Sequence, residues 1–185
     1  MAIKRPAIAA PNRPLPNSYW VIPGRFLAGE HPLGAHQAET LERLKRLREA
    51  GINSFVDLTE THELLEYRHL LPRQIDYLRC AIVDTQVPDT VAQAQAALAS
   101  IRAGLERGRS IYLHCRAGIG RTGLVVGCYL ADEERDGEAA LLRLNHLWQQ
   151  SARSASWPTI PQTPEQADYI RQWPALSKTA GRTRE

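Results

Sequence analysis

Cysteine is scarce in this sequence, and its few copies form no pattern. Cys80, Cys115 and Cys128 are odd in number and widely spaced. That argues against a disulfide-stapled scaffold and against the close ligand pairs of a zinc site. It suits a reducing, cytoplasmic setting in which a free thiol survives. Long apolar runs are missing as well. No stretch is long enough to cross a bilayer, and no hydrophobic leader follows Lys4-Arg5, so neither a transmembrane segment nor a secretory signal is expected. Concentrated positive charge is the third absence. The formal net charge of +3 comes from the ends, because without residues 1–18 and 177–185 the body holds 17 basic and 19 acidic residues. With no basic block there, and no aromatics interleaved with cations, nucleic acid is not an expected partner.

A chain of 185 residues suits one well-buried core and falls short of two. Pro6, Pro11, Pro14 and Pro16 make residues 1–18 an irregular arm. The folded domain is expected over 19–175, with a flexible tail at 176–185. Order starts near Asn17–Trp20, followed by a turn at Pro23-Gly24 and a short strand over Arg25–Ala28. Leu41, Leu44 and Leu47 give a helix over His36–Ala50 with a charged, solvated face. Ile52–Leu58 reads as a strand, Leu64–Leu71 as a short helix stopped by Pro72, and Ile75–Val83 as another strand with Cys80 packed in it. A helix follows, with Val91, Ala94, Leu98, Ile101 and Leu105 on one face. Asp132–Gly137 reads as a solvated turn before a helix to Gln149, whose Trp148 is a core residue. Residues 151–162 are loop, and a last helix opens at Pro164 and docks through Tyr169, Ile170 and Trp173. Strands alternating with helices indicate an α/β fold, a central, mostly parallel sheet flanked by helices.

The most informative stretch is Ser110–Leu130. Ser110–His114 is a short apolar strand, and Leu124–Leu130 is a buried helix opening near Arg121. Between them runs CRAGIGRTG, with three glycines in nine residues. A strand that turns through glycines straight into a helix leaves backbone N–H groups converging on a bowl, and such a bowl binds an anion. Cys115 opens that loop, and Arg121 closes it after five intervening residues, Arg116, Ala117, Gly118, Ile119 and Gly120. A thiol among convergent N–H groups, a helix start and a guanidinium is favoured as its thiolate, a strong nucleophile. Arg121 can hold two oxygens of a phosphoryl group in its planar fork. Thr122 can direct its hydroxyl at the sulfur, and His114 suits shaping the loop by hydrogen bonding. The plainer alternative is a glycine-rich turn with an inert core cysteine.

His-Cys, five residues, Arg, Thr resembles the signature loop of the cysteine-dependent protein tyrosine phosphatase superfamily. Size and layout over about residues 20–173 resemble its compact dual-specificity branch, in which the cyclin-dependent-kinase-associated phosphatase falls. The resemblance implies a dual-specificity-phosphatase-like domain that works through a phosphocysteine, with no cofactor and no metal. It asks for a carboxylic acid on another segment to protonate the leaving oxygen. Compact members place theirs some thirty residues before the nucleophile, which is where Asp84 lies. Asp89 competes for the role, but it suits the N-cap of the following helix. Glu60 or His62, beyond the Ile52–Leu58 strand, is expected near the rim of the site. Gln162, Thr163 and Gln166 resemble the glutamine loop of the larger tyrosine-specific enzymes, which positions the hydrolytic water. An exposed-helix reading of Gln166 stands beside that one.

The expected substrate is a phosphorylated protein or peptide, with phosphotyrosine favoured and phosphoserine or phosphothreonine tolerated. No Asn-Arg-Tyr element of a deep phosphotyrosine slot is present. Arg116 adds a charge that a phosphoinositide would use, but inositide-type members carry two basic loop positions, and the other here is Ile119. Alternatives from other classes are a non-hydrolytic phosphopeptide-binding module, which needs no nucleophile, and a sulfurtransferase, which usually has a different loop length.

Overall fold

Residues 12–182 are described by a computed structural model, with side chains to residue 179. In chain order the elements are β1 (Ser18–Ile22), β2 (Phe26–Gly29), α1 (Gln37–Glu49), β3 (Ser54–Asp57), a 3-10 turn at Arg68–Leu70, β4 (Asp76–Arg79), α2 (Val91–Glu106), β5 (Ile111–His114), α3 (Gly120–Glu134), α4 (Gly137–Trp148), a 3-10 turn at Ala152–Ala155, and α5 (Pro164–Arg182). The five strands form one sheet in the order β1-β2-β5-β3-β4. β2, β5, β3 and β4 run parallel, and β1 pairs antiparallel with β2.

Burial along the strands explains this order. Every residue of β2, β3 and β5 is buried, as a strand covered on both faces must be. β4 alternates exposed and half-buried residues and carries charges at both ends, which suits an edge. α1 covers one face over Trp20, Leu27, Phe55 and Tyr112. α2 to α5 cover the other, where α3 packs against α2, α4, α5, β2 and β5. Residues Gly120–Ala131 are buried without interruption, so α3 has no solvent face for its first three turns.

Several boundaries differ from the sequence reading. β1 is a full strand where only the onset of order was expected. The Ile75–Val83 strand shortens to β4, although the N–H groups of Cys80 and Ile82 still donate to the Asp57 and Leu58 carbonyls. The expected helix at Leu64–Leu71 is only the 3-10 turn. α3 absorbs Asp132–Glu134, because Asp132 is anchored by Arg102 and by the Trp173 indole. Trp148 is fully buried, as expected. The proline-rich arm lies outside the described residues over 1–11; beyond them Leu15 is buried, and Ser18 already belongs to β1. α5 is helical to Arg182, through much of the segment read as a tail. Among the described residues no helix is long and apolar enough to cross a membrane.

Candidate active site

Parallel strands that end together bring their following residues to one edge. Gly29, His114, Asp57 and Arg79 stand in register across that edge. The next residues, Glu30, Cys115, Leu58 and Cys80, therefore lead into loops on the ligand side of the sheet. Cys115 comes off the central strand and is 2% exposed. Loop residues 116–119 carry the chain into α3. Gly118 has φ +77°, and a Cβ there would lie 2.5 Å from the Gly29 carbonyl carbon and 2.8 Å from the Glu30 nitrogen, so only glycine fits. Ile119 is buried and precedes the first turn, its carbonyl accepting from the Gly123 N–H. Gly120 sits under the side-chain oxygens of Gln162 and Gln166, which a Cβ would meet at 3.0 and 3.1 Å. Arg116 is exposed and Ala117 half-buried.

Arg121 is fully buried, and its fork is gripped from outside the loop. Nη1 donates to Glu63 Oε1 at 2.5 Å and Nη2 to Glu63 Oε2 at 2.8 Å. Nη1 also donates to the Ile82 carbonyl at 3.0 Å, and Nη2 lies 3.0 Å from Asp84 Oδ1. Burial would lift the Glu63 carboxyl, but the Arg121 hydrogen bonds and the Glu60 N–H hold it below the ordinary range. Burial works against the Arg121 charge, and Glu63, Cys115 and Asp84 outweigh it. Arg121 Nε is left buried with no hydrogen-bond partner. Sequence reasoning placed Glu60 or His62 at the rim and missed Glu63. The available signal was the buried arginine itself, which needs a carboxylate for its fork, and Glu63 belongs to the same short segment after β3.

Asp84 is half-exposed at the start of a loop, its Oδ1 accepting from the Thr85 N–H at 3.0 Å, and Thr85 adopts φ 64°. Asp89 does not cap α2. Thr90 does, its hydroxyl accepting from the Gln93 N–H, while Asp89 contributes only its own N–H, to Gln93 Oε1. Thr90 is one residue nearer the helix and has the extended backbone a cap requires. The stated ground for setting Asp89 aside is therefore lost, and proximity to Arg121 becomes what distinguishes Asp84.

Gln166 is fully buried and committed. Its Oε1 accepts from the Gln162 and Thr163 N–H groups, and its Nε2 donates to the Gln86 carbonyl, tying the start of α5 to the Asp84 loop. The exposed-helix reading of Gln166 is therefore wrong. Gln162 is exposed, with its amide oxygen over Gly120. The Thr122 hydroxyl faces the Gly29 carbonyl at 3.5 Å.

Beneath the loop, His31, Asp57 and His114 bring one potential ligand atom each within 4.8 Å of one another, all buried. Asp57 already accepts from the Thr59 N–H, the Thr59 hydroxyl and the Tyr77 hydroxyl, with Arg79 Nη2 at 3.4 Å. Burial would lift its carboxyl, but His114 and these donors hold it low. Burial, then His114, pushes His31 down to about 3. His114 is lowered too, by burial above all. Its Nδ1 faces two acceptors, the Cys115 carbonyl at 3.4 Å and Asp57 Oδ1 at 3.8 Å. Nδ1 thus carries the proton, and Nε2 accepts from the Tyr67 hydroxyl at 2.5 Å. A saturated carboxylate beside a guanidinium makes this a hydrogen-bonded support for the loop and a poor metal centre.

The other thiols stand apart. Cys80 and Cys115 follow strands two places apart in the sheet, so their Cα atoms are separated by about 10 Å, against roughly 7 Å for the widest disulfide. Burial pushes the Cys128 thiol well up and, to a lesser degree, the Cys80 thiol.

Comparison with known proteins identifies the family and the fold. Residues 30–134 match the family described as "Polymorphic toxin system, DSP-PTPase phosphatase". A putative tyrosine phosphatase, 067L, of Invertebrate iridescent virus 3 is 32% identical over 71% of this chain and 58% of its own length. The chain spans less than two thirds of the length of the curated relatives it matches. Among solved structures, Tk-PTP in its active form superposes with a TM-score of 0.69 at 22% identity, covering 86% of this chain and 97% of that one. Kinase associated phosphatase with its catalytic-site cysteine replaced by serine gives 0.64 at 20% identity, over 84% and 87%. At such identities the structures speak for the fold, while the family match spans more than half of the chain. The chain belongs to the cysteine-dependent protein tyrosine phosphatase superfamily, in its compact dual-specificity branch.

Proposed function

We propose that the protein hydrolyses phosphoprotein monoesters, phosphotyrosine foremost, through a phosphocysteine. Cys115 attacks phosphorus, and the loop N–H groups with Arg121 hold the equatorial oxygens. Asp84 protonates the departing oxygen. Water then displaces Cys115 from phosphorus, with Asp84 accepting its proton and Gln162 orienting it. Gln166, whose amide is fully engaged, acts only by fixing Gln162 and the Asp84 loop. The observation that carries the reading is Arg121 Nε. A buried donor without a protein partner, on a guanidinium already fixed by Glu63, suits a phosphoryl oxygen. An inert cysteine turn has no use for it.

Phosphotyrosine is preferred because phenol is the better leaving group and the longer side chain reaches a buried Cys115. A second reading, a multiply phosphorylated inositide, draws on the exposed Arg116. Against it, the other basic position is occupied by the buried Ile119. The test is a parallel hydrolysis panel of phosphotyrosine, phosphoserine and phosphothreonine peptides, soluble phosphoinositides and nucleotides, with Cys115→Ser as control. Phosphotyrosine peptides should show the highest kcat/KM, and Cys115→Ser should bind phosphate yet turn over nothing. Substantial turnover by that variant rules out the nucleophile. An inositide preference that fades in Arg116→Ala and at high salt replaces the protein substrate with the lipid.

A further inference from the structure

We infer that Arg153 is a positioning residue of the phosphate loop, acting through the Ala117 carbonyl on the Gly118 N–H; this rests on the phosphatase reading above. In a planar trans peptide the C=O and the following N–H point in opposite directions. A donor outside the loop that captures a carbonyl therefore turns the next N–H inward. Three successive carbonyls are captured in this way. The Cys115 oxygen faces His114 Nδ1 at 3.4 Å, the Arg116 oxygen accepts from the His31 N–H at 3.1 Å, and the Ala117 oxygen accepts from Arg153 Nη1 at 2.6 Å. Each capture turns the following N–H, of 116, 117 and 118 in turn, away from the donor that holds the carbonyl.

The three anchors differ in origin. The first two belong to the sheet edge, one on β5 itself and one just after β2. The third is a side chain from the 3-10 turn Ala152–Ala155, and it steers the peptide entering Gly118, the loop's one left-handed residue. Glycine does little to hold its own peptide plane, so an external brace matters most there. Arg153 cannot swing away easily, because Nη2 is bound to Glu30 Oε2 at 2.9 Å. Glu30 is nearly buried and is held in turn by Arg43 and Asn17. With one arm on a carboxylate and the other on a carbonyl, Arg153 is a brace and not a second phosphate clamp.

The experiment compares Arg153→Ala and Arg153→Lys with wild type, and with Arg143→Ala on the far surface. A misaimed donor costs less than a missing one, which costs ~100-fold or more. Arg153→Ala should therefore lower kcat about 10-fold and weaken orthovanadate inhibition by a similar factor, with KM little changed. Arg153→Lys, which can reach the carbonyl but cannot bridge to Glu30, should fall between. Wild-type kcat and vanadate inhibition in Arg153→Ala, with or without a lower Tm, would overturn the inference. If Arg153→Ala does not fold, Arg153→Met, which keeps the side-chain stem and removes both donors, reads the same two quantities under the same criterion. If the wild type hydrolyses no phosphomonoester, the functional reading fails. Calorimetric binding of inorganic phosphate then decides for the brace alone: weaker in Arg153→Ala supports it, and equal overturns it.

Discussion

The two segments proposed to carry the chemistry are built in opposite ways. Residues 118–131 are buried without a break, whereas residues 83–86 are exposed in succession. The first segment is the core of the domain, and Arg121 is held there by Glu63 and two backbone carbonyls. The second is a surface loop tethered by few bonds, among them Gln166 to the Gln86 carbonyl and Gln93 to the Ala81 carbonyl. On the proposed roles, the contrast puts electrostatic stabilisation in the buried core, fixed by folding, and proton donation on an exposed segment. Charge that develops on the phosphoryl oxygens needs donors that do not reorganise. A leaving group that varies with the substrate needs an acid that can follow it.

Four substitutions sharpen or break this contrast. The largest effect is expected on the buried side. Arg121→Lys keeps the charge but loses both the fork that grips Glu63 and the unpartnered Nε donor, and kcat should fall ~100-fold or more; near-wild-type kcat and KM would mean that Nε does not serve the phosphoryl group.

Asp84→Asn should cost about 100-fold on alkyl phosphates and much less on aryl phosphates whose leaving groups need no proton. Asp89→Asn should change neither. A leaving-group dependence altered by Asp89→Asn and untouched by Asp84→Asn would exchange their roles. That outcome is a real contest now that Thr90 caps α2.

Among the substitutions expected to slow turnover, Glu63→Gln should slow it least, roughly 10-fold, because the loop still surrounds the guanidinium. Its larger signature is stability: a buried arginine left wholly unpaired costs about 3–5 kcal/mol, and Asp84, 3.0 Å from Nη2, keeps the loss below that. The sign with pH follows from a folded-state pKa held below the ordinary value. Glu63 stabilises fully above the unfolded carboxyl value of about 4.3, and that contribution is lost as pH falls through the lower folded value. Wild type should lose Tm steeply below about pH 4, and Glu63→Gln should lack that portion of the decline. Parallel Tm-against-pH curves for the two proteins would remove Glu63 from the clamp.

Much of this was legible in the sequence because it is local. The strand, loop and helix around Cys115 announce themselves by apolar runs on either side of three glycines, and Leu41, Leu44 and Leu47 mark α1 by periodicity. What was illegible is long-range. Glu63 meets Arg121 across 58 residues, and no spacing rule encodes that. Arg153 reaches the loop from a turn of its own. Thr90 rather than Asp89 became the cap because two adjacent residues of the same propensity were separated only by backbone conformation. Gln166 looked exposed because helical periodicity alone does not reveal that the Asp84 loop folds over it.

A helix whose first three turns have no solvent face has a consequence for how the protein can change. A substitution almost anywhere from Gly120 to Ala131 alters packing and the seat of Arg121 together, so fold and activity have to be lost or kept as one trait. The exposed run at 83–86 is free of that coupling. Sequence drift in this lineage should accumulate around Asp84, the proposed acid, long before it reaches the helix that seats Arg121.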